Sequence, residues 1–93
     1  MNLQIETRHL NILKLILNKY PYQFYAYGSR TKGTAWKFSD LDLCHQENIP
    51  RKVIYQIQEE LEESDLPFFV ELTNWKQMRP EFRELIRKDL TLI

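Results

Sequence analysis

At 93 residues, with 43% hydrophobic and 13% aromatic residues, the chain can bury one core and is not of disordered composition. Its 13 basic and 13 acidic residues cancel, which argues against general nucleic-acid binding, because a phosphate-neutralising face usually needs a basic excess. We predict a single domain over residues 1–93, whose substrate pocket is completed in part by another chain.

The hydrophobic periodicity predicts alternating helices and strands. In chain order the predicted elements are a helix over 6–18, a strand over 22–27, a short helical turn over 29–33, a strand over 39–44, a helix from Pro50, a strand over 68–73, a helix from Pro80 with Phe82, Leu85 and Ile86 inward, and a strand or docked tail over 90–93. The prediction is an α/β (α+β) fold with a small mixed β-sheet flanked by helices.

Three features of the sequence bear on the location of the protein in the cell. Cys44 is the only cysteine, so it cannot form an internal disulfide and lacks the neighbours of a zinc site. No apolar run approaches the roughly 20 residues that span a bilayer. The N-terminus has no basic region followed by an apolar one. We therefore expect a cytoplasmic protein with no membrane partner and no direct nucleic-acid partner.

A Gly-Ser pair, Gly28 and Ser29, directly follows the aromatic strand predicted over 22–27. A backbone without Cβ allows a phosphate to approach closely, and the first turn of the following helix offers free N–H groups and a favourable dipole. The Ser29 hydroxyl would add a further donor. Taken alone, the pair is more often a plain turn with a helix cap than a phosphate site.

Two aspartates, Asp40 and Asp42, lie on the second predicted strand. Side chains two residues apart on a strand point to the same face, so the two carboxylates are expected side by side while Leu41 and Leu43 face the core. Two close carboxylates repel unless a cation lies between them, and carboxylate oxygens suit Mg²⁺. The alternative is a solvated polar strand face.

The two elements together resemble the minimal nucleotidyltransferases of the DNA polymerase beta-like superfamily, whose signature is Gly-Ser, ten residues and Asp-x-Asp. Gly28-Ser29, residues 30–39 and Asp40-Leu41-Asp42 match that spacing without adjustment. The resemblance implies the nucleotidyltransferase fold, a nucleoside triphosphate held by Gly28 and Ser29, and one or two Mg²⁺ ions held by Asp40 and Asp42.

Families of this kind carry a third carboxylate on a later strand, and Glu71 is the well-placed candidate here. A carboxylate within an apolar strand needs a partner, which favours a catalytic and metal-binding role. The residue departs from the family, where Asp is usual. An exposed strand edge or an ion pair with an arginine is the alternative. Arg30 has two possible roles, which are contact with the nucleotide phosphates and bracing of the acidic motif.

The resemblance also implies a function. Minimal nucleotidyltransferases commonly occur as antitoxins paired with a HEPN-domain ribonuclease toxin, and related members transfer AMP from ATP to a tyrosine of that toxin. The expected activity is therefore metal-dependent protein adenylylation, with Mg²⁺ as cofactor and the HEPN-domain toxin as partner. Two alternatives stay open. One is a non-catalytic module that neutralises its partner by contact, and the other is transfer to a small molecule, as in aminoglycoside-modifying enzymes.

Overall fold

The computed structural model describes residues 3–93 and has the predicted mixed α/β architecture, a four-stranded sheet with helices. The helices are α1 (Thr7–Leu17), α2 (Ser29–Lys32), α3 (Arg51–Glu63) and α4 (Pro80–Ile86). The strands are β1 (Tyr25–Tyr27), β2 (Leu41–His45), β3 (Val70–Asn74) and β4 (Thr91–Leu92), and two 3₁₀ turns cover Trp75–Gln77 and Arg87–Asp89. Within residues 3–93, no helix is long and apolar enough to cross a membrane.

The sheet has the strand order β3-β2-β1-β4. Strand β1 pairs antiparallel with both β2 and β4, whereas β2 and β3 run parallel. A parallel pair needs a crossover connection, and the 13-residue helix α3 supplies it. Strand β2 is therefore central, and residues on it have neighbours on both sides.

One face of the sheet packs against α1 and α3 and forms the main core. Side chains that alternate along β2, Leu41 and Leu43, are both fully buried there. Helix α1 presents an apolar stripe that includes Leu13, and α3 presents Ile57. Burial of a side chain of this size contributes about 1.5–3 kcal/mol, so this layer fixes the position of β2.

The opposite face of the sheet carries a second, smaller apolar cluster beneath α4. Its buried members are Tyr27, Cys44, Trp75, Met78 and Ile86. This cluster covers only part of the face. The same face also carries Asp42, because side chains two apart on β2 point to the same side.

Several predicted boundaries and one predicted face are wrong. Strand β2 begins at Leu41, so Asp40 lies in the loop before it rather than on the strand. The reason is that the carbonyl of Ser39 accepts a hydrogen bond from the Arg30 side chain. The backbone hydrogen bonds towards β3 begin one step later, where the Leu41 N–H donates to the carbonyl of Phe69. On α4 only Ile86 is buried. Phe82 is 41% exposed although its ring meets that of Tyr27, and Leu85 is 62% exposed, so the inward position predicted for Leu85 is wrong.

Candidate active site

The register of the sheet places Asp42 at the centre of a row of three residues. Asp42 stands opposite Tyr27 on β1 and opposite Glu71 on β3. Directly opposed residues project to the same face, with Cβ atoms about 4.5–5.5 Å apart. Glu71, which is 29 residues further along the chain, is thereby brought beside Asp42.

Gly28 ends β1 next to Asp42 and is the N-cap of α2. Its φ of +85° lies in a region that side chains rarely adopt, and a Cβ there would lie 2.6 Å from Oδ2 of Asp42. The missing side chain therefore allows the Asp42 carboxylate to lie against the backbone at the start of α2. In this way the turn predicted for a phosphate and the carboxylate predicted for a metal adjoin each other.

The electrostatics at Asp42 show that the carboxylates converge. The pKa of Asp42 is raised from 3.8 to about 6, chiefly by burial and further by the charge of Glu71, a hydrogen bond with Glu71 and the charge of Asp40. Like charges in a partly desolvated site disfavour ionisation. A cation would relieve this repulsion, because it favours the charged form of each carboxyl group.

Asp40 and Ser29 occupy the two flanks of this row. Asp40 is exposed in the loop that precedes β2, and Ser29 opens α2 directly after Gly28. The first N–H groups of a helix have no partner within it, so the start of α2 presents backbone donors beside the Ser29 hydroxyl. This arrangement suits an anion such as a phosphate.

The donor set fits a magnesium site that is completed by other ligands. Among residues 3–93, no three acidic, His or Cys side chains form a ready-made group that could hold a metal. Asp42 and Glu71 stand directly opposite each other on β2 and β3, and Asp40 lies in the loop two residues before Asp42. Mg²⁺ is typically held by one or two carboxylates, with water and substrate phosphates in the other positions. A carboxylate pair beside an anion-binding turn, with the pKa of Asp42 raised, meets that description.

Of the two roles predicted for Arg30, the structure shows the bracing one. The side chain is 5% exposed, and its guanidinium lies 4.1 Å from the ring centroid of Phe68. Its Nε and Nη2 donate to the carbonyl of Ser39 at 3.0 and 2.7 Å, while Nη2 also donates to Lys37 at 3.2 Å. Burial lowers the pKa of Arg30, and the charge of Asp40 opposes that shift. The guanidinium thus holds the backbone next to Asp40.

Glu71 has features of both roles predicted for it, a carboxylate of the site and a residue on an exposed strand edge. It is exposed on β3, which is an edge strand, and it also stands directly beside Asp42. Within residues 3–93 it forms no salt bridge with an arginine or lysine. No basic side chain among these residues therefore neutralises Glu71, and the carboxylate directly opposite it is that of Asp42.

The sequence did not predict the aromatic pair, Tyr27 and Phe82, that lies beside the carboxylates. Tyr27 is 7% exposed, and its ring meets that of Phe82 edge to face at 5.9 Å. Burial raises the pKa of the Tyr27 hydroxyl, Thr73 lowers it by hydrogen bonding, and the charges of Asp42 and Glu71 raise it further. Alternation along β1 and β2 could have placed Tyr27 on the face of Asp42, and the inward position predicted for Phe82 agrees with its contact with Tyr27.

The chain matches the family model described as "Polymerase beta, Nucleotidyltransferase" over residues 11–93. It is also 40% identical, over 95 residues, to the probable protein adenylyltransferase MntA of Haemophilus influenzae, in an alignment that covers 98% of this chain and 83% of that protein. The matched region includes the Gly-Ser turn, both aspartates and Glu71. Members of this family generally use a nucleoside triphosphate and a divalent metal. The chain belongs to the polymerase beta nucleotidyltransferase family, as its motif spacing predicted, and is a nucleotidyltransferase.

Proposed function

We propose that this nucleotidyltransferase transfers AMP from Mg-ATP to a hydroxyl group of a partner protein, namely a tyrosine of a HEPN-domain toxin, and so acts as its antitoxin in the cytoplasm. The observation that carries the proposal is the register that brings Asp42 against both Glu71 and the Gly28 backbone. It joins an anion-binding turn to a carboxylate pair within one small site.

We assign the roles as follows. Asp40 and Asp42, together with Glu71, hold the metal, while Ser29 and the backbone at Gly28 hold the β- and γ-phosphates. When bound, the Mg²⁺ supplies charge stabilisation to the attacking and leaving oxygens. Arg30 is given no phosphate contact, because its guanidinium is committed to backbone carbonyls.

In the proposed transfer step, an acceptor hydroxyl displaces pyrophosphate from the α-phosphate of ATP. The acceptor oxygen forms a bond to the α-phosphorus, and the bond from that phosphorus to the oxygen bridging to the β-phosphate breaks. Pyrophosphate leaves with that bonding electron pair. Glu71 takes the hydroxyl proton, since it is the exposed carboxylate of the pair and is accessible to an acceptor. The rest of the rate enhancement comes from positioning and electrostatic stabilisation.

A protein acceptor is supported by two observations. The chain has 93 residues and builds one small sheet with helices, which leaves little of it to form a separate acceptor-binding domain. The described clefts include one of about 490 Å³ lined by Gln4, Arg30 and Trp36, but it does not include the carboxylates. The relative from Haemophilus influenzae carries a name that specifies protein as the acceptor of the adenylyl group.

The test is label transfer with the co-purified partner. ATP labelled at the α-phosphate should label the partner in the presence of Mg²⁺, whereas ATP labelled at the γ-phosphate should not. Asp42→Asn should abolish labelling in a folded protein. Transfer to an aminoglycoside or another small molecule would favour the small-molecule alternative, and tight binding of the partner without transfer would favour a contact-only antitoxin.

A further inference from the structure

The segment that connects α2 to β2 carries Asp40 but contains neither helix nor strand. Over residues 34–40 it forms one turn, in which the N–H of Ser39 donates to the carbonyl of Trp36 and the N–H of Trp36 donates to Oγ of Ser39, both at 3.0 Å. These bonds fix the shape of the turn itself. They do not fix where the turn lies relative to Asp42, so its position depends on contacts from elsewhere.

Gln4 holds the first half of this loop through its side chain. Its Nε2 donates to the carbonyl of Ala35 at 2.6 Å, and its Oε1 accepts from the N–H of Ala35 at 3.2 Å. Both backbone groups of Ala35 are therefore bound by one amide. Glutamine suits this arrangement, because its side chain offers a donor and an acceptor in the same plane.

The backbone of Gln4 is in turn joined to Arg30. The Gln4 N–H donates to the carbonyl of Arg30 at 2.7 Å, and Nη1 of Arg30 donates to the carbonyl of Gln4 at 2.8 Å. Arg30 also holds the second half of the loop through the carbonyls of Lys37 and Ser39. Gln4 and Arg30 thus form one connected unit that spans the loop from Ala35 to the peptide before Asp40.

Apolar packing does not replace these bonds. A cleft of about 490 Å³ lies beside the N-terminal segment, and its lining includes Gln4, Arg30, Trp36 and Lys37. Trp36 is 70% exposed, so its ring does not anchor the loop in the core. Directional hydrogen bonds are consequently the main restraint on the position of the loop.

We propose that Gln4 and Arg30 are positioning residues for nucleotidyl transfer, and that together they hold the loop so that Asp40 faces the metal beside Asp42. The inference rests on the metal-binding role proposed for Asp40. Gln4 precedes residues 11–93, the region matched by the family model, so the N-terminal segment contributes to the site from outside the matched region. Because a displacement of about 1 Å in a catalytic group can cost about 10²-fold in rate, loss of the brace should act on turnover.

Gln4→Ala is the principal variant, because Gln4 is exposed and its loss should leave the fold intact. We expect kcat to fall by about tenfold with little change in KM for ATP, and the Mg²⁺ concentration for half-maximal rate to rise several-fold. The melting temperature should change by less than about 3 °C. Gln4→Glu should behave similarly, since a carboxylate can still accept from Ala35 N–H but cannot donate to its carbonyl.

The matched control is Gln46→Ala, an exposed glutamine at the opposite end of β2, which should resemble the wild type. A second measurement is independent of transfer. Mn²⁺ binding in the presence of a non-hydrolysable ATP analogue, followed by paramagnetic resonance, should weaken several-fold in Gln4→Ala and not in Gln46→Ala. Amide hydrogen exchange should accelerate over residues 34–40 in Gln4→Ala alone.

The inference would be overturned if Gln4→Ala had the same turnover, Mn²⁺ binding and loop exchange as the wild type. A Gln4→Ala protein with faster loop exchange but unchanged Mn²⁺ binding and turnover would also overturn it, because the brace would then not act on Asp40. If the wild-type protein transfers no nucleotide, the proposed function fails, and the Mn²⁺ and exchange measurements still decide whether Gln4 positions Asp40.

Discussion

Gly28 and Asp42 are in such close contact that a Cβ at residue 28 would lie 2.6 Å from Oδ2 of Asp42. The two residues belong to the two halves of the sequence motif, and β1 and β2 bring them together. The contact has a consequence for substitution. Any side chain at residue 28 must displace the carboxylate or the start of α2.

We predict that Gly28→Ala loses transfer activity and is destabilised by about 1–3 kcal/mol, because it combines the clash with Asp42 and a φ of +85°. Gly33→Ala is the matched control. Its φ is +72°, but a Cβ there would meet nothing within 4 Å. It should be destabilised by about 1 kcal/mol and keep most of its activity. Urea unfolding and label transfer would measure both effects, and equal activity in the two variants would contradict the prediction.

Asp42→Asn should inactivate the enzyme and yet stabilise the metal-free fold at neutral pH. The pKa of Asp42 is raised from 3.8 to about 6, so the folded state binds its proton more tightly than the unfolded state. Stability is therefore lost as pH rises from about 4 through 6, and above that range the ionised carboxylate is destabilising. We expect Asn to add about 1–2 kcal/mol at pH 7.5, after allowance for solvent screening.

The pH dependence provides the control for this prediction. At pH 4 the native Asp42 carboxyl is largely protonated, so the stabilisation by Asn should nearly vanish. Thermal unfolding of both proteins in a chelator, at pH 4 and pH 7.5, measures the difference. Stabilisation of the same size at both pH values would show that charge is not the cause.

Mg²⁺ should bind more weakly as pH falls through about 6, because protons compete for Asp42, whose pKa is about 6 in the metal-free site. We expect the Mg²⁺ concentration for half-maximal transfer to rise about tenfold for each pH unit below this value. Kinetics at pH 5, 6 and 7.5, with saturating ATP, would check this. A constant Mg²⁺ requirement across the range would exclude Asp42 as a ligand that titrates there.

Glu71→Gln should lower kcat by about 10²–10⁴-fold, as expected for loss of a general base, while the protein stays folded because Glu71 is exposed. Glu71→Asp restores the residue usual in the family and keeps the charge next to Asp42. It should retain much more activity than Glu71→Gln. Equal activity of Glu71→Gln and the wild type would remove Glu71 from the mechanism and favour an exposed edge residue.

The order of helices and strands was predictable because it depends on local periodicity. Leu41 and Leu43 alternate with polar residues, and both are buried as predicted. The motif spacing predicted the family, which the match over residues 11–93 confirms. By contrast, the prediction that Leu85 faces inward on α4 is wrong, since helical spacing does not reveal that the second cluster covers only part of the sheet.

The sequence by itself determined the reaction class, because Gly28, Ser29, Asp40 and Asp42 lie close together along the chain and their spacing carries the signature. The sequence also named Glu71 as the candidate third carboxylate, but only the tertiary structure decided which neighbours it and the N-terminal segment have. Glu71 reaches Asp42 through the parallel pairing of β2 and β3. Gln4 and Arg30 meet through hydrogen bonds between backbone and side chain, and such bonds leave no periodic pattern in a sequence.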